Sequence, residues 1–435
     1  MRHPAWLSSL VLPTSLLLAS AACGSASAPV TFDAPPPPDA APIDAPARGM
    51  VTMHVSQVFG VEPVEGVHVL FLEADGSVAA DEVTDADGDV AAEVGPGASV
   101  VLLFDAEGSH LAVYHLGVDP GAALAFGGLF GGATPSIELT YPAVGGATNY
   151  QISGGCGGLT NVNGSSAGTS ATLSTSGCEV GEEATIFVRA SNVGGLIGTL
   201  TATTTLEANT SITGTYRAPQ TLDLTVTGIP AVVSEAAIDT AIRKGGVNLS
   251  GISASQAPIA GEATASGDVD RVLDSSLATF VGLTRPGFDR QVVLDTRAYD
   301  AGAAEVELVA LLPWVMGAEV DAETGTVVWN EVGAGEPDVT FAFISHELGK
   351  VTSSALVYAR HDGTEITLPA LPAEYATFSP IDSTIIEAGV ILYDLPDDQV
   401  DALLANVIKG YFGALSPTTI TPDEGQLGIS ITSAL

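Results

Sequence analysis

The chain has 435 residues, of which 46% are hydrophobic and only 15% charged, with 49 glycines and 26 prolines. That balance argues for an ordered, turn-rich β chain against both a helical bundle and a disordered polymer, and at ~150 residues per domain it allows about three modules, each with its own core. Acidic residues number 51 against 13 basic ones, a formal charge of -38, so the surface repels phosphate backbones and anionic headgroups; the lysines, Lys244, Lys350 and Lys409, are scattered singly, and nucleic-acid binding is excluded.

In residues 1–22, Arg2 and His3 precede an apolar run from Ala5 to Ala19, followed by small residues up to Cys23, the layout of a secretory signal peptide. The stretch Leu18-Ala19-Ser20-Ala21-Ala22-Cys23 resembles a bacterial lipobox, with Ser20 where that family usually has Leu. The resemblance implies a diacylglycerol on the Cys23 sulfur and a membrane partner reached through that lipid. An uncleaved anchor with Pro13 in it is the alternative, and both place the body outside the cytoplasm. Gly24 stands where some bacteria carry an acidic inner-membrane retention residue, which favours the outer membrane or cell surface. Residues 23–48 then form a linker dominated by Ala, Pro and Asp, including Pro35 to Pro38. Lacking apolar bulk, it reads as an extended, polyproline-like spacer of ~3 Å per residue.

With Cys23 assigned to lipid, the two remaining cysteines, Cys156 and Cys178, can pair. They flank a Gly/Ser/Thr-rich excursion, and closing a loop of about 20 residues in an exported protein contributes roughly 3 kcal/mol. Free or metal-binding thiols are the alternative, with no histidine close in sequence to complete such a site.

Residues 49–130 alternate apolar and polar positions in six short runs, Val51 to Val55, Val67 to Leu72, Val78 to Val83, Val90 to Val94, Val100 to Phe104 and Leu111 to Leu116, separated by Gly- and Asp-rich turns. Gly66-Val67-His68-Val69, Asp75-Gly76, Val83 to Gly88 and Val94-Gly95-Pro96-Gly97-Ala98 resemble the carboxypeptidase regulatory-like, transthyretin-type domain. That resemblance implies a β-sandwich accessory module without the peptidase zinc site. Asp85, Asp87 and Asp89, with Glu93 nearby, cluster hard oxygen ligands suited to calcium. The EF-hand loop needs its glycine at position six, whereas Gly88 sits at position four, and Asp-Gly equally makes a tight hairpin turn.

A joint at Gly127-Gly128 and Gly131-Gly132 leads to residues 134–208, with strands expected at 137–139, 150–152, 185–189 and 200–205. Glu138 to Pro142 with Gly146 to Tyr150, and Ala184 to Asn192, resemble the early and late strands of a fibronectin type III domain, with Tyr141 where that family usually has Trp. Gly164-Ser165-Ser166-Ala167-Gly168 matches the G-x-S-x-G nucleophile elbow, which needs a strand before and a helix after. Polar residues precede it and β-prone ones follow, so it reads as a Ser/Gly loop.

Residues 209–435 resume the alternation at 221–227, 292–295, 305–312, 327–329, 339–344, 355–358, 365–368 and 385–393, as one large or two small sandwiches. A helix near 396–409 is expected from Val400, Leu403, Leu404, Val407 and Ile408 on one face before Gly410, and a second from Ser234 to Lys244, stopped by Gly245-Gly246. His346-Glu347-Leu348-Gly349-Lys350 has Lys where a zincin helix needs its second His. The sequence shows no two-His ligand pair at helical spacing, although His68 and His115, on alternating strands, can still meet in space. Trp314, Trp329 and Tyr299 are the candidates for a carbohydrate platform, and their apolar neighbours favour core positions.

The expectation is therefore an all-β chain of tandem antiparallel, Ig-like β-sandwich modules behind a signal peptide and linker, with no catalytic residue, metal or cofactor assigned. It reads as a non-catalytic cell-envelope lipoprotein that displays structural, binding or adhesion modules to a protein or glycan ligand. An exported hydrolase with its site in 209–435, and a carbohydrate-binding protein, are the rival readings.

Overall fold

Period-two burial organises the strands: in Gln220–Thr227 the inward positions Leu222, Leu224 and Val226 are buried while Thr221 and Asp223 face water. The computed structural model describes residues 47–56, 63–106, 109–127, 136–156, 161–176, 178, 180–245, 247–287, 290–299, 302–395, 400 and 425–431. Cys23, the signal segment, nearly all of the linker and, apart from Val400, the expected helix near 396–409 lie outside the described residues.

The first region forms β1 (Gly49–Ser56), β2 (His68–Leu72), β3 (Val78–Val83), β4 (Asp89–Val94), β5 (Ala98–Ala106), β6 (Ser109–Val118) and β7 (Ala123–Gly127). The second forms β8 (Ser136–Thr140), β9 (Asn149–Gly155), β10 (Asn161–Ser166), β11 (Ser170–Ser176), β12 (Glu183–Asn192), β13 (Gly195–Thr205) and β14 (Asn209–Ser211). The third continues with β15 (Gln220–Thr227), β16 (Glu235–Lys244), β17 (Val247–Gln256), β18 (Ala263–Val269), β19 (Ser276–Thr284), β20 (Arg290–Ala298) and β21 (Ala303–Glu307). It ends with β22 (Trp314–Asp321), β23 (Thr326–Val332), β24 (Val339–Leu348), β25 (Val351–Arg360), β26 (Glu365–Thr367), β27 (Thr384–Asp394) and β28 (Gly425–Ile431), with a short 3-10 turn at Ala373–Phe378 before β27.

A single twelve-stranded sheet, in the order β17-β16-β19-β20-β28-β27-β24-β25-β6-β5-β2-β3, runs through the first and third regions. The regions meet edge to edge, where β6 and β25 pair in parallel from Ser109↔Thr352 to His115↔Tyr358. They are thus tandem sandwiches that share one sheet, because β6 leaves its outer backbone groups open and β25 supplies the matching edge. Three small sheets cover this long one. On one face, β4-β1-β7 packs Val51, Met53 and Phe126 against Phe71, Val113, Phe341 and Tyr358. On the other, β22-β23-β26 packs Val315, Val327 and Trp329 against Leu70, Tyr114, Ile344 and Val357. Beside it, β18-β15-β21 packs Leu222, Leu224 and Val306 against Ile238, Leu277 and Val281.

The second region is a seven-stranded sheet, β13-β12-β9-β10-β11-β8-β14, closed around Ile137, Ile152, Leu173, Ile186 and Val188. It reaches past residue 208, since β14 pairs in parallel with β8. The Ser/Gly-rich loop expected between the cysteines is instead the hairpin β10–β11, whose Val162, Ala171, Leu173 and Thr175 point inward. Three inward apolar side chains and two neighbouring strands suffice to order a segment whose outer face is Ser and Thr.

The helix expected from Ser234 to Lys244 is the strand β16, paired on both sides by β17 and β19. Alanines favour a helix locally, but Ala236, Ile238, Thr240 and Ile242 alternate inward, and a central position provides a full ladder on either edge. A bulge after Asp239 turns the Thr240 hydroxyl inward to accept the Ile252 N–H at 2.8 Å. Gly251 lies against this bulge: a Cβ there would fall 2.5 Å from the Thr240 carbonyl oxygen.

The second module is fastened to the third by a buried ion pair. Arg189 on β12 places Nε 2.9 Å from a carboxylate oxygen of Asp270, which is fully buried just beyond β18 and also accepts from the Thr199 hydroxyl of β13. Truncating one member of such a pair strands the other charge in a dry site. Asp270→Ala is expected to lower the stability of the body by about 3 kcal/mol, read as a shifted midpoint in urea unfolding. A change below about 0.5 kcal/mol, the range of ordinary surface substitutions, would show that the pair does not fasten the modules.

Candidate functional site

The structure sorts the sequence candidates by environment. Cys156 and Cys178 are joined in a disulfide with Cα atoms 5.8 Å apart, at the end of β9 and ahead of β12. They form, with Glu182, the single cluster of three or more His, Cys, Asp or Glu ligand atoms among the described residues, and sulfurs bonded to each other do not bind a metal as thiolates.

Asp85, Asp87 and Asp89 sit in the turn from β3 to β4, which is not the expected hairpin, because β3 pairs with β2 in the long sheet and β4 with β1 in the covering sheet. Asp85 accepts the backbone N–H groups of Asp87 and Asp89, both at 2.9 Å, and Asp89 lies 2.8 Å from the His54 imidazole. Gly88 adopts φ 75°, and a Cβ there would come within 2.3 Å of the Val55 carbonyl oxygen, so both turn handedness and the neighbouring strand require glycine. Ser166 closes β10 and a bend leads straight into β11, so no helix follows the G-x-S-x-G segment. Its hydroxyl accepts the Gly168 N–H.

His346 lies on β24, a strand in which residues i and i+4 are about 13 Å apart, so the His-Glu segment has no helical ligand geometry. His68 and His115 do not meet: strand alternation puts His68 on the sheet face of Leu70 and Tyr114, and His115 on the opposite face beside Tyr358. Trp314 and Trp329 are buried in two different cores, Trp329 donating its indole N–H to Glu331 at 2.7 Å, and Tyr299 is bonded to Gln220. No flat aromatic platform is formed by these three.

A polar constellation across the β6–β25 seam was not visible in the sequence. Across three adjacent strands, His110 on β6 is paired with Ser353 on β25, and Ser353 with His346 on β24. All three residues lie on the face that the 3-10 turn Ala373–Phe378 covers. Ser353 donates its hydroxyl to the Thr377 carbonyl at 2.7 Å, and His110 Nδ1 lies 3.1 Å from the Thr377 hydroxyl. The His110 ring stacks on Phe378 with centroids 4.5 Å apart. The turn reaches the first region a second time through Tyr375, which donates to Asp81 at 2.8 Å and packs its ring on His68. Burial, reinforced by the Asp81 carboxylate, pushes the Tyr375 phenol up to about 12.

A serine between two histidines has the composition of a nucleophile with its base, but its geometry is that of a buckle. Ser353 is 1% exposed and His346 is 0% exposed, and the serine hydroxyl points at a main-chain carbonyl of the covering turn. Burial also lowers the His346 pKa from 6.5 to about 4, opposed by the nearby Phe378 backbone, so the ring is neutral in the folded protein at pH 7.

On the other face of the same β6–β25 seam, a cavity of about 350 Å³ is lined by His115, Val118, Asp119, Leu124, Tyr358 and Arg360. Its apolar walls continue the core under β4-β1-β7, and Tyr358 stacks with His115 at 6.0 Å.

No known protein family matches the chain, and no curated protein does. Among solved structures it is similar to BcpA, the major pilin subunit of Bacillus cereus, at 9% identity and a TM-score of 0.15, covering 60% of this chain and 99% of that one. A streptococcal ancillary pilin gives the same values. A variant of the shaft pilin spaA from Lactobacillus rhamnosus GG gives 7% identity and a TM-score of 0.14, with 60% and 96% covered. Likenesses this weak bear on neither function nor assembly.

Because the folded His346 binds its proton only near pH 4 and the unfolded chain near 6.5, the unfolded state holds more protons between those values. Its contribution to stability is complete above about pH 6.5 and is lost as the pH falls toward 4. Comparing urea unfolding of the protein and of His346→Gln at pH 7 and pH 4.5 is expected to show about 2 kcal/mol less loss on acidification in the variant. Parallel losses in both proteins would mean that His346 is already charged or hydrated in the folded state.

Proposed function

We propose that this protein is a non-catalytic, lipid-anchored component of a bacterial cell envelope, held at the membrane through Cys23 and displaying its β-sandwich body on the Pro/Ala/Asp linker. The observation that carries the reading is the twelve-stranded sheet shared by the first and third regions. Of the polar groups that in an enzyme would converge on an open cleft, Ser353 and His110 instead close a turn over that sheet, and His346 is buried beneath it. The buried Arg189–Asp270 pair likewise fastens the second module to the third. Such an architecture supports a stiff body that presents surfaces at a distance from its anchor, and the charge of -38 supports solubility and repulsion between crowded copies. The expected partners are the membrane, through the lipid, and a protein or glycan at the exposed end; nucleic acid is disfavoured by charge.

The anchor is tested by expressing the full chain and Cys23→Ser in a bacterial host fed a radiolabelled fatty acid. The wild-type protein is expected to take up label and sediment with membranes, and the variant to lose the label and become soluble. An unlabelled wild-type protein, or a variant that sediments equally well, would refute lipid anchoring through this residue.

A further inference from the structure

The chain carries 13 basic residues against 51 acidic ones, yet several of those few bases gather where the second module meets the third. Arg189 is neutralised there by Asp270. Arg217 and Lys244 together line a groove of about 590 Å³ formed by β13, the segment at 214–217, the end of β16 and the loop at 272–274. Arg217 is held by its main chain, which exchanges two 2.9 Å hydrogen bonds with Thr199, while its exposed guanidinium has no partner among the described residues. The Lys244 ammonium donates to the Leu273 carbonyl at 2.6 Å, which fixes the head group and leaves its other N–H bonds available. Thr201 and Thr215 add hydroxyls to the lining, and Asp274 is its single acid. The lining therefore carries two positive charges and one negative in a chain whose net charge is -38, a local reversal of sign.

From this placement we infer that the groove binds an acidic saccharide, a sugar bearing a carboxylate or sulfate ester. A planar guanidinium takes an oxyanion through two parallel hydrogen bonds, and a fixed ammonium beside it adds a second, geometrically tolerant charge. The volume falls in the range of small-molecule sites and exceeds the needs of a lone inorganic anion. The remaining lining of hydroxyls, with Leu200, Val272 and Leu273 and no aromatic ring, suits sugar hydroxyls held by hydrogen bonds better than a stacked aromatic ligand. The two walls are tied together by the Arg189–Asp270–Thr199 contacts, and Thr199 in turn pairs with the Arg217 main chain. The site does not depend on how the protein is anchored.

The test is calorimetric titration of the full chain, in mild detergent at low ionic strength, with digalacturonate, with its uncharged counterpart digalactose, and with sodium sulfate. Digalacturonate is expected to bind at least 10-fold more tightly than either control. Arg217→Gln and Lys244→Gln are each expected to weaken it about 10-fold, and Arg217→Lys less. Thermal unfolding of the two Arg217 variants should be unchanged, because the Arg217 side chain is exposed. Absence of heat with digalacturonate, equal binding of digalactose, sulfate binding as tight as the saccharide, or unchanged affinity in both Gln variants would each overturn the proposal.

Discussion

Everything in the body leans on the parallel pairing of β6 with β25. A sheet edge exposes a row of unpaired N–H and C=O groups, and an unprotected edge invites pairing with other chains. Here two edges from segments more than 230 residues apart cap each other, so the first and third regions have no free strand where they meet. The consequence extends beyond that ladder. The cores on both faces of the sheet draw residues from either side of the seam, Phe71 and Phe341 on one face and Tyr114 and Val357 on the other. Separating the strands would open two hydrophobic cores at once, which is why the 3-10 turn and its histidine contacts sit over this line.

The strong net charge sets the terms for the polar interior. With few basic residues available, most acids face water, and the buried carboxylates are placed where they accept hydrogen bonds. Asp270 takes Arg189 and the Thr199 hydroxyl, and Asp295 takes both Arg297 and the Gln426 amide. The Asp270 contacts and the Gln426–Asp295 bond join elements distant in sequence, while Asp295–Arg297 is local to β20, so charge here serves register and docking more than net stability, for which a buried pair is weak support. The neutral His346 is the counterpart: an ionisable group accepted into the core only in its uncharged form.

Legibility followed the range of the interactions. All six strands expected in the first region are present, because alternation and Asp-Gly or Gly-Pro-Gly turns are local signals. The cysteine pairing was readable from arithmetic and spacing, and its geometry agrees. Ser234 to Lys244 misled because alanines at helical spacing imitate an amphipathic helix, while β17 and β19, which make it a central strand, are invisible locally. The β10–β11 hairpin was hidden by its Ser and Gly content. The shared sheet was out of reach for a deeper reason: two edge strands carry no mark of which edge they will meet. The same holds for Tyr375 on His68, 307 residues away, and for the Arg217–Lys244 groove, whose walls belong to different modules.

Two polar clusters in this molecule share a composition suited to chemistry and differ in what surrounds them. Ser353 and His110 bond to Thr377 and His110 stacks on Phe378, so both hold a turn against a sheet, while His346 is buried beneath it with neither ring nitrogen hydrogen-bonded among the described residues. At the junction between the second and third modules, the buried carboxylate pairs with Arg189, while Arg217 and Lys244 line an open groove. Desolvation decides between these outcomes. A dry polar group must bond inward or lose its charge, whereas one at the wall of a rigid, wet groove keeps its charge and stays open to a ligand.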